Sequence, residues 1–143
     1  MGALTKVHQQ TAHENLQRLL REAWFQLEQQ PLEAAVLARQ AEHLARRSGD
    51  NRAWAQSFFI WGVSSLYGGD NHEAISLLSR ALAVYRFLGD EQGQWSCLKA
   101  IALAWGYLGD ANQALETHAH ANAFKRQAEF ARTARWLHWF AAN

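Results

Sequence analysis

Cysteine and proline each occur once in the 143 residues, as Cys97 and Pro31. A lone cysteine excludes an internal disulfide and fits a reducing compartment. Cys97 then reads as a small core hydrophobe. A lone proline near a turn leaves the rest of the chain free of helix breakers. No run of 18 apolar residues is present, which excludes a membrane-spanning helix. Met1 to Gln10 has no apolar core of the signal-peptide kind. The expected location is cytoplasmic. Charge of one sign is missing too: 14 Lys and Arg stand against 13 Asp and Glu, interspersed, for a net charge of +1. Without a basic face there is no set of phosphate contacts, so no nucleic-acid partner is expected. The nearest cluster, Arg46-Arg47, suits the last turn of a helix ahead of Gly49.

Chemistry is equally sparse. The seven histidines, His8, His13, His43, His72, His118, His120 and His138, include no pair three or four apart. A helix therefore never places two rings on one face to hold a metal. Ser57, Ser76, Ser79 and Cys97 have no sequence neighbour that marks one of them as a nucleophile. Gly68-Gly69 lacks the strand and the lysine of a phosphate loop. No cofactor and no catalysis are expected, which leaves binding or assembly.

What the chain does have is punctuation. Gly-Asp stands at 49–50, 69–70, 89–90 and 109–110, every 20 residues. Glycine ends a helix by turning left-handed without a Cβ penalty, and Asp starts one by accepting from unpaired N–H groups. Asp70 and Asp110 carry Glu73 and Gln113 three residues on, as in a capping box. Between the marks the apolar residues fall at helical spacing; Ala74, Ile75, Leu77, Leu78, Ala81, Leu82, Val84, Tyr85 and Leu88 are an example. The period predicts helices of about 15–17 residues with reversals near 30, 49, 69, 89, 109 and 128. Laying 49–88 over 89–128 gives nine identities without a gap, at turn residues and small residues: Gly49/Gly89, Asp50/Asp90, Tyr67/Tyr107, Gly69/Gly109, Asp70/Asp110, Ala74/Ala114, Ala81/Ala121, Ala83/Ala123 and Arg86/Arg126. A preceding unit, about 11–48, aligns only through Glu33-Ala34, Ala41 and Arg46.

These units resemble the tetratricopeptide repeat, W-x2-L-G-x2-Y followed by A-x3-F and a further Ala. One unit has Phe58, Trp61, Gly62 and Ser65, then Ala74, Leu78 and Ala81; the next has Leu98, Ile101, Ala102 and Trp105, then Ala114, His118 and Ala121. The period is 40 where the usual repeat has 34, and no Pro closes the unit. The chain looks most like the long variety found in bacterial sensors and regulators, where it often precedes a GGDEF diguanylate cyclase domain. The "GGDN" at Gly68–Asn71 is only superficially similar to that signature, because it lies between two helical stripes.

The resemblance implies an all-α fold: a right-handed superhelical α-solenoid of about three antiparallel hairpins, 11–48, 49–88 and 89–128, with a C-terminal helix over about 129–142. It also implies a concave face lined by the first helix of each hairpin, Gln56, Phe59, Ile60, Val63 and Tyr67 in one unit and Ser96, Lys99, Ala100, Leu103 and Tyr107 in the next. Phe59, Tyr67 and Tyr107 are suitable anchors for a protein or peptide, and Lys99 for a carboxylate; packing between repeats is the competing use of the same positions. The last segment puts Phe130, Trp136, Trp139 and Phe140 on more than one helical face. An open apolar end predicts either a piece of a longer protein or a homodimer contact. Three functions stay open: a peptide-binding sensory or scaffolding module of a bacterial signalling protein, a homodimerisation domain, and a small-molecule sensor of a transcriptional regulator.

Overall fold

The structure, a computed structural model, describes residues 2–134. Among them are seven α-helices and no strand: α1 (Gly2–Gln26), α2 (Pro31–Ser48), α3 (Asn51–Tyr67), α4 (Asn71–Leu88), α5 (Glu91–Tyr107), α6 (Ala111–Asn122) and α7 (Gln127–Thr133). α1 to α6 each pack chiefly on the helices before and after them, and α7 packs on α5. The result is an all-α array of antiparallel hairpins, α1–α2, α3–α4 and α5–α6, closed by α7.

The Gly-Asp marks work as their chemistry requires. Gly49, Gly69, Gly89 and Gly109 have φ of 74°, 84°, 69° and 83°, and no other described residue has positive φ. Each following Asp faces both ways. Its backbone N–H closes the helix behind: Asp50 donates to Ala45 O at 3.1 Å, Asp70 to Ser65 O at 2.9 Å, Asp90 to Tyr85 O at 3.0 Å and Asp110 to Trp105 O at 3.0 Å. These are the six-to-one bonds of a Schellman ending. Its carboxylate opens the helix ahead, accepting from the N–H of Ala53, Glu73, Gly93 or Gln113 at 2.9–3.1 Å. The strict period follows from two different reversals. A 17-residue helix with a three-residue reversal (α3, α5) and an 18-residue helix with a two-residue one (α2, α4) both span 20 positions.

Where the mark is missing the pattern gives way. Between α1 and α2 the chain turns through Leu27–Gln30, with Pro31 in the first turn of α2, where its missing N–H costs nothing. α1 begins at Gly2, ahead of the expected first unit. The last reversal comes earlier than the expected position near 128. α6 ends at Asn122 and the chain turns through Ala123–Arg126. Glu129-Phe130 occupies the place where the next Gly-Asp would fall, and Phe130 is instead drawn onto Trp95 of α5, ring centroids 6.1 Å apart.

Small residues set the helix separations. Ala34, Ala38, Ala41 and Ala45 form a fully buried stripe along α2, which lies between α1 and α3. A Cβ on Gly62 would lie 2.7 Å from Leu78 Cγ, so α3 and α4 touch through that glycine. A closer approach, unread in the sequence, is at Gly93: a Cβ there would sit 2.3 Å from the ring of Tyr85, which α4 wedges against α5. Tyr85 is buried and cannot swing aside cheaply. Gly93→Ala should therefore lower the unfolding free energy by about 1–3 kcal/mol. Gly106→Ala, on the same helix with nothing within 4 Å, should raise it by about 0.5–1 kcal/mol. Urea unfolding of both variants checks the pair; equal effects would mean that Tyr85 does not crowd Gly93.

Candidate interaction surfaces

α1, α3 and α5, the first helices of successive hairpins, lie side by side, with α1 touching α3 and α3 touching α5. Between α1 and α3 opens a recess of about 390 Å³. Gln56, Phe59 and Ile60 form its α3 wall, and Tyr85 of α4 reaches its floor. The α1 wall is Gln17, Leu20, Arg21, Trp24 and Phe25. Trp24 stacks on Phe59 with ring centroids 6.5 Å apart, and Phe25 stands 79 % exposed at the rim. The recess is thus aromatic in its body and carries Gln17, Arg21 and Gln56 as polar groups that could orient a ligand. Trp24, Phe25 and Arg21 lie outside the expected site, because the first unit matches the repeat pattern only loosely. Their one sequence signal is an adjacent aromatic pair on a helical stripe.

The other expected concave positions divide. Val63 and Ala100 are fully buried, as packing residues between helices. Tyr67 is half-buried, and burial, with Glu28 nearby, pushes its hydroxyl up to about 12. Tyr107 is 54 % exposed. Ser96, Lys99 and Leu103 are half-buried. Phe59 is itself buried, so truncating it removes core contact along with groove wall.

Lys99 commits its donors inside the chain. Its ammonium lies 3.3 Å from His118 Nδ1, donates to Asn122 Oδ1 at 3.1 Å and sits over the Trp95 ring at 5.9 Å. Nδ1 facing an ammonium must accept, which places the proton of neutral His118 on Nε2. Burial pulls the Lys99 ammonium below its ordinary pKa. Burial and then the Lys99 charge pull the His118 imidazole below its usual 6.5. The lysine expected to meet a partner's carboxylate is therefore a tie between α5 and α6. His118, at the repeat's aromatic or aliphatic position, is its other half.

Of the four aromatics expected at an oligomer contact, Phe130 is 2 % exposed and packed on Trp95. That corrects the expectation for this ring: the fully buried Trp95 needs a cover, and Phe130 supplies it within the chain. Trp136, Trp139 and Phe140 lie outside the described residues. Among the described residues, no helix is long and apolar enough to cross a membrane.

The hairpin array is similar to a solved structure, the tetratricopeptide-repeat domain of Arabidopsis FLU, with a TM-score of 0.74 and 25 % sequence identity over 78 % of this chain and 95 % of that one. The fold is that of a tetratricopeptide-repeat domain. No family model matches the chain, and no curated protein matches it.

The Lys99–His118 tie gives a pH test. Because the folded state holds His118 below its ordinary pKa, the unfolded chain binds the proton more readily. The stability linked to neutral His118 is fully present above about 6.5 and is lost as pH falls through the lower folded value. An NMR titration should place the His118 ring below 6.5, and Lys99→Met should move it upward. A ring that titrates at its ordinary value in both proteins would remove the tie.

Proposed function

We propose that this chain is a non-catalytic protein- or peptide-binding repeat module, the sensory or scaffolding part of a bacterial signalling protein, with the recess between α1 and α3 as its docking site. The recess carries the proposal. It combines the stacked Trp24–Phe59 pair, an exposed Phe25 and the polar groups of Gln17, Arg21 and Gln56 on two helices of fixed spacing. Aromatic anchors flanked by a few polar groups are the usual composition of an energetic centre in an interface. Likeness to a tetratricopeptide-repeat domain supports the interaction role. The bacterial signalling setting rests on the long repeat period and the resemblance described above. In that setting the groove holds a segment of a partner, and occupancy changes what the neighbouring parts of the signalling protein do.

A displayed peptide library tests the docking site. Peptides selected on the wild-type domain should bind at least ~10-fold more weakly to Phe25→Ala and to Gln56→Ala, with an unchanged helical circular dichroism spectrum. Leu115→Ala, at an exposed apolar residue of α6, should leave binding as it was. Selected peptides that bind the Phe25 and Gln56 variants as tightly as wild type would place the site elsewhere.

A further inference from the structure

The opposite side of α3 carries a second surface. Trp54, Phe58 and Trp61 stand at i, i+4 and i+7, so they share one face of the helix. Their rings form a continuous row: Trp54 to Phe58 is 5.4 Å between centroids, and Phe58 to Trp61 is 6.4 Å with planes 10° apart. α2 and α4 both pack closely on α3; Trp54 and Phe58 floor the trough between them, and Trp61 lies against α2 in the adjoining part that shares Glu42. The part over Trp54 and Phe58 has a volume of about 690 Å³, and a second part of about 540 Å³ continues along α2 past Glu42 to Trp61. Its walls offer apolar surface that stands exposed among the described residues: Phe87 of α4 is 80 % exposed and Val36 of α2 is 44 % exposed.

The trough has a charge as well as a shape. Its one carboxylate, Glu42, is already engaged, accepting from Trp54 Nε1 at 3.1 Å and paired with Arg46 Nε at 3.5 Å. Two further guanidiniums come from opposite walls. Arg80 of α4 lies over the Phe58 ring at 5.9 Å, and Arg39 of α2 over the Trp61 ring at 5.5 Å. Among the described residues neither is paired with a carboxylate. A guanidinium resting on a ring keeps its N–H fork available to a planar anion, and the stacking holds that fork in place. The surface therefore presents aromatic floor, apolar rim and two unneutralised arginines about one helical turn apart on either side.

We propose that this outer trough binds an acidic amphipathic helix of a partner protein. The helix lays its apolar residues on Phe58, Trp61 and Phe87 and reaches Arg39 and Arg80 with carboxylates on either flank. A trough bounded by two helices suits a third, seated through anchors at i, i+3, i+4 and i+7. Arg–carboxylate forks would set its register. A nucleic-acid strand fits less well, because two or three arginines beside a carboxylate are a small electrostatic footprint for a phosphate chain. This surface is independent of the recess between α1 and α3, and each has its own exposed aromatic, Phe87 here and Phe25 there.

The test uses three synthetic peptides of about 18 residues, about five helical turns when bound. They share one Leu/Phe stripe and carry Glu, Gln or Lys at every polar position; a single-stranded DNA oligonucleotide of about 18 nucleotides is the fourth probe. Binding to the whole chain is followed by calorimetry. The Glu peptide should bind at least ~10-fold more tightly than the other three, and more weakly as salt rises. Its affinity should fall at least ~10-fold in Arg39→Gln/Arg80→Gln and in Phe87→Ala, and stay the same in Phe25→Ala. Phe87 is a surface residue, so its variant separates lost binding from lost fold. The proposal is overturned if the Gln peptide, the Lys peptide or the oligonucleotide binds as tightly as the Glu peptide. It is equally overturned if the Glu peptide does not bind, or if it loses affinity only in Phe25→Ala.

Discussion

Everything in this structure hangs on one backbone event, a glycine in the left-handed region followed by an aspartate that serves two helices. The Asp N–H satisfies a carbonyl of the helix that ends, and its carboxylate satisfies an N–H of the helix that begins. Both bonds fit only if the glycine reverses the chain by a fixed amount. Four such reversals give neighbouring hairpins nearly equal length, so that small residues in successive helices meet at the same heights. The alanine stripe of α2 and the close approaches at Gly62 and Gly93 depend on that regularity. The two surfaces depend on it in turn. The recess needs α1 and α3 side by side, and the trough needs α2 and α4 held apart across α3.

Turn chemistry is local, which is why it was legible. Gly-Asp needs only its own neighbours to act, so the reversals at 49, 69, 89 and 109 could be read residue by residue. The all-α hairpin array followed from them together with the helical spacing of the apolar residues. The failures occur where no local signal exists. α6 stops at Asn122 and Phe130 packs on Trp95 some 35 positions earlier in the chain, and a long-range contact of that kind leaves no mark near residue 122.

Site residues were legible to a lesser depth. Spacing shows which residues share a face of a helix, but not how far the helix is rotated against its neighbours. Gln56, Phe59 and Ile60 were placed on one face and do share a groove wall, whereas Val63 and Ala100, assigned to the same faces, are turned into the packing. Lys99 looked like a free charge until α6 brought His118 and Asn122 to it from about 20 residues away. The outer trough was hidden for the same reason. Arg39, Trp54, Trp61, Arg80 and Phe87 come from three helices, and each alone reads as an ordinary surface or core residue.

The claim beneath all of this, that left-handed glycines set the array, can be tested at Gly89. Its φ is 69°, and a Cβ added there meets nothing within 4 Å, so a substitution reports the backbone alone. L-alanine and D-alanine would be installed at that position by protein ligation, and the unfolding free energy of each protein measured in urea. L-alanine should cost about 1–2 kcal/mol, the strain of a left-handed L-residue. D-alanine, at home at positive φ, should match or exceed the wild type, because it also restricts the unfolded chain. Equal stability of the two, or a tolerated L-alanine beside a destabilising D-alanine, would contradict the left-handed reversal and the array built on it.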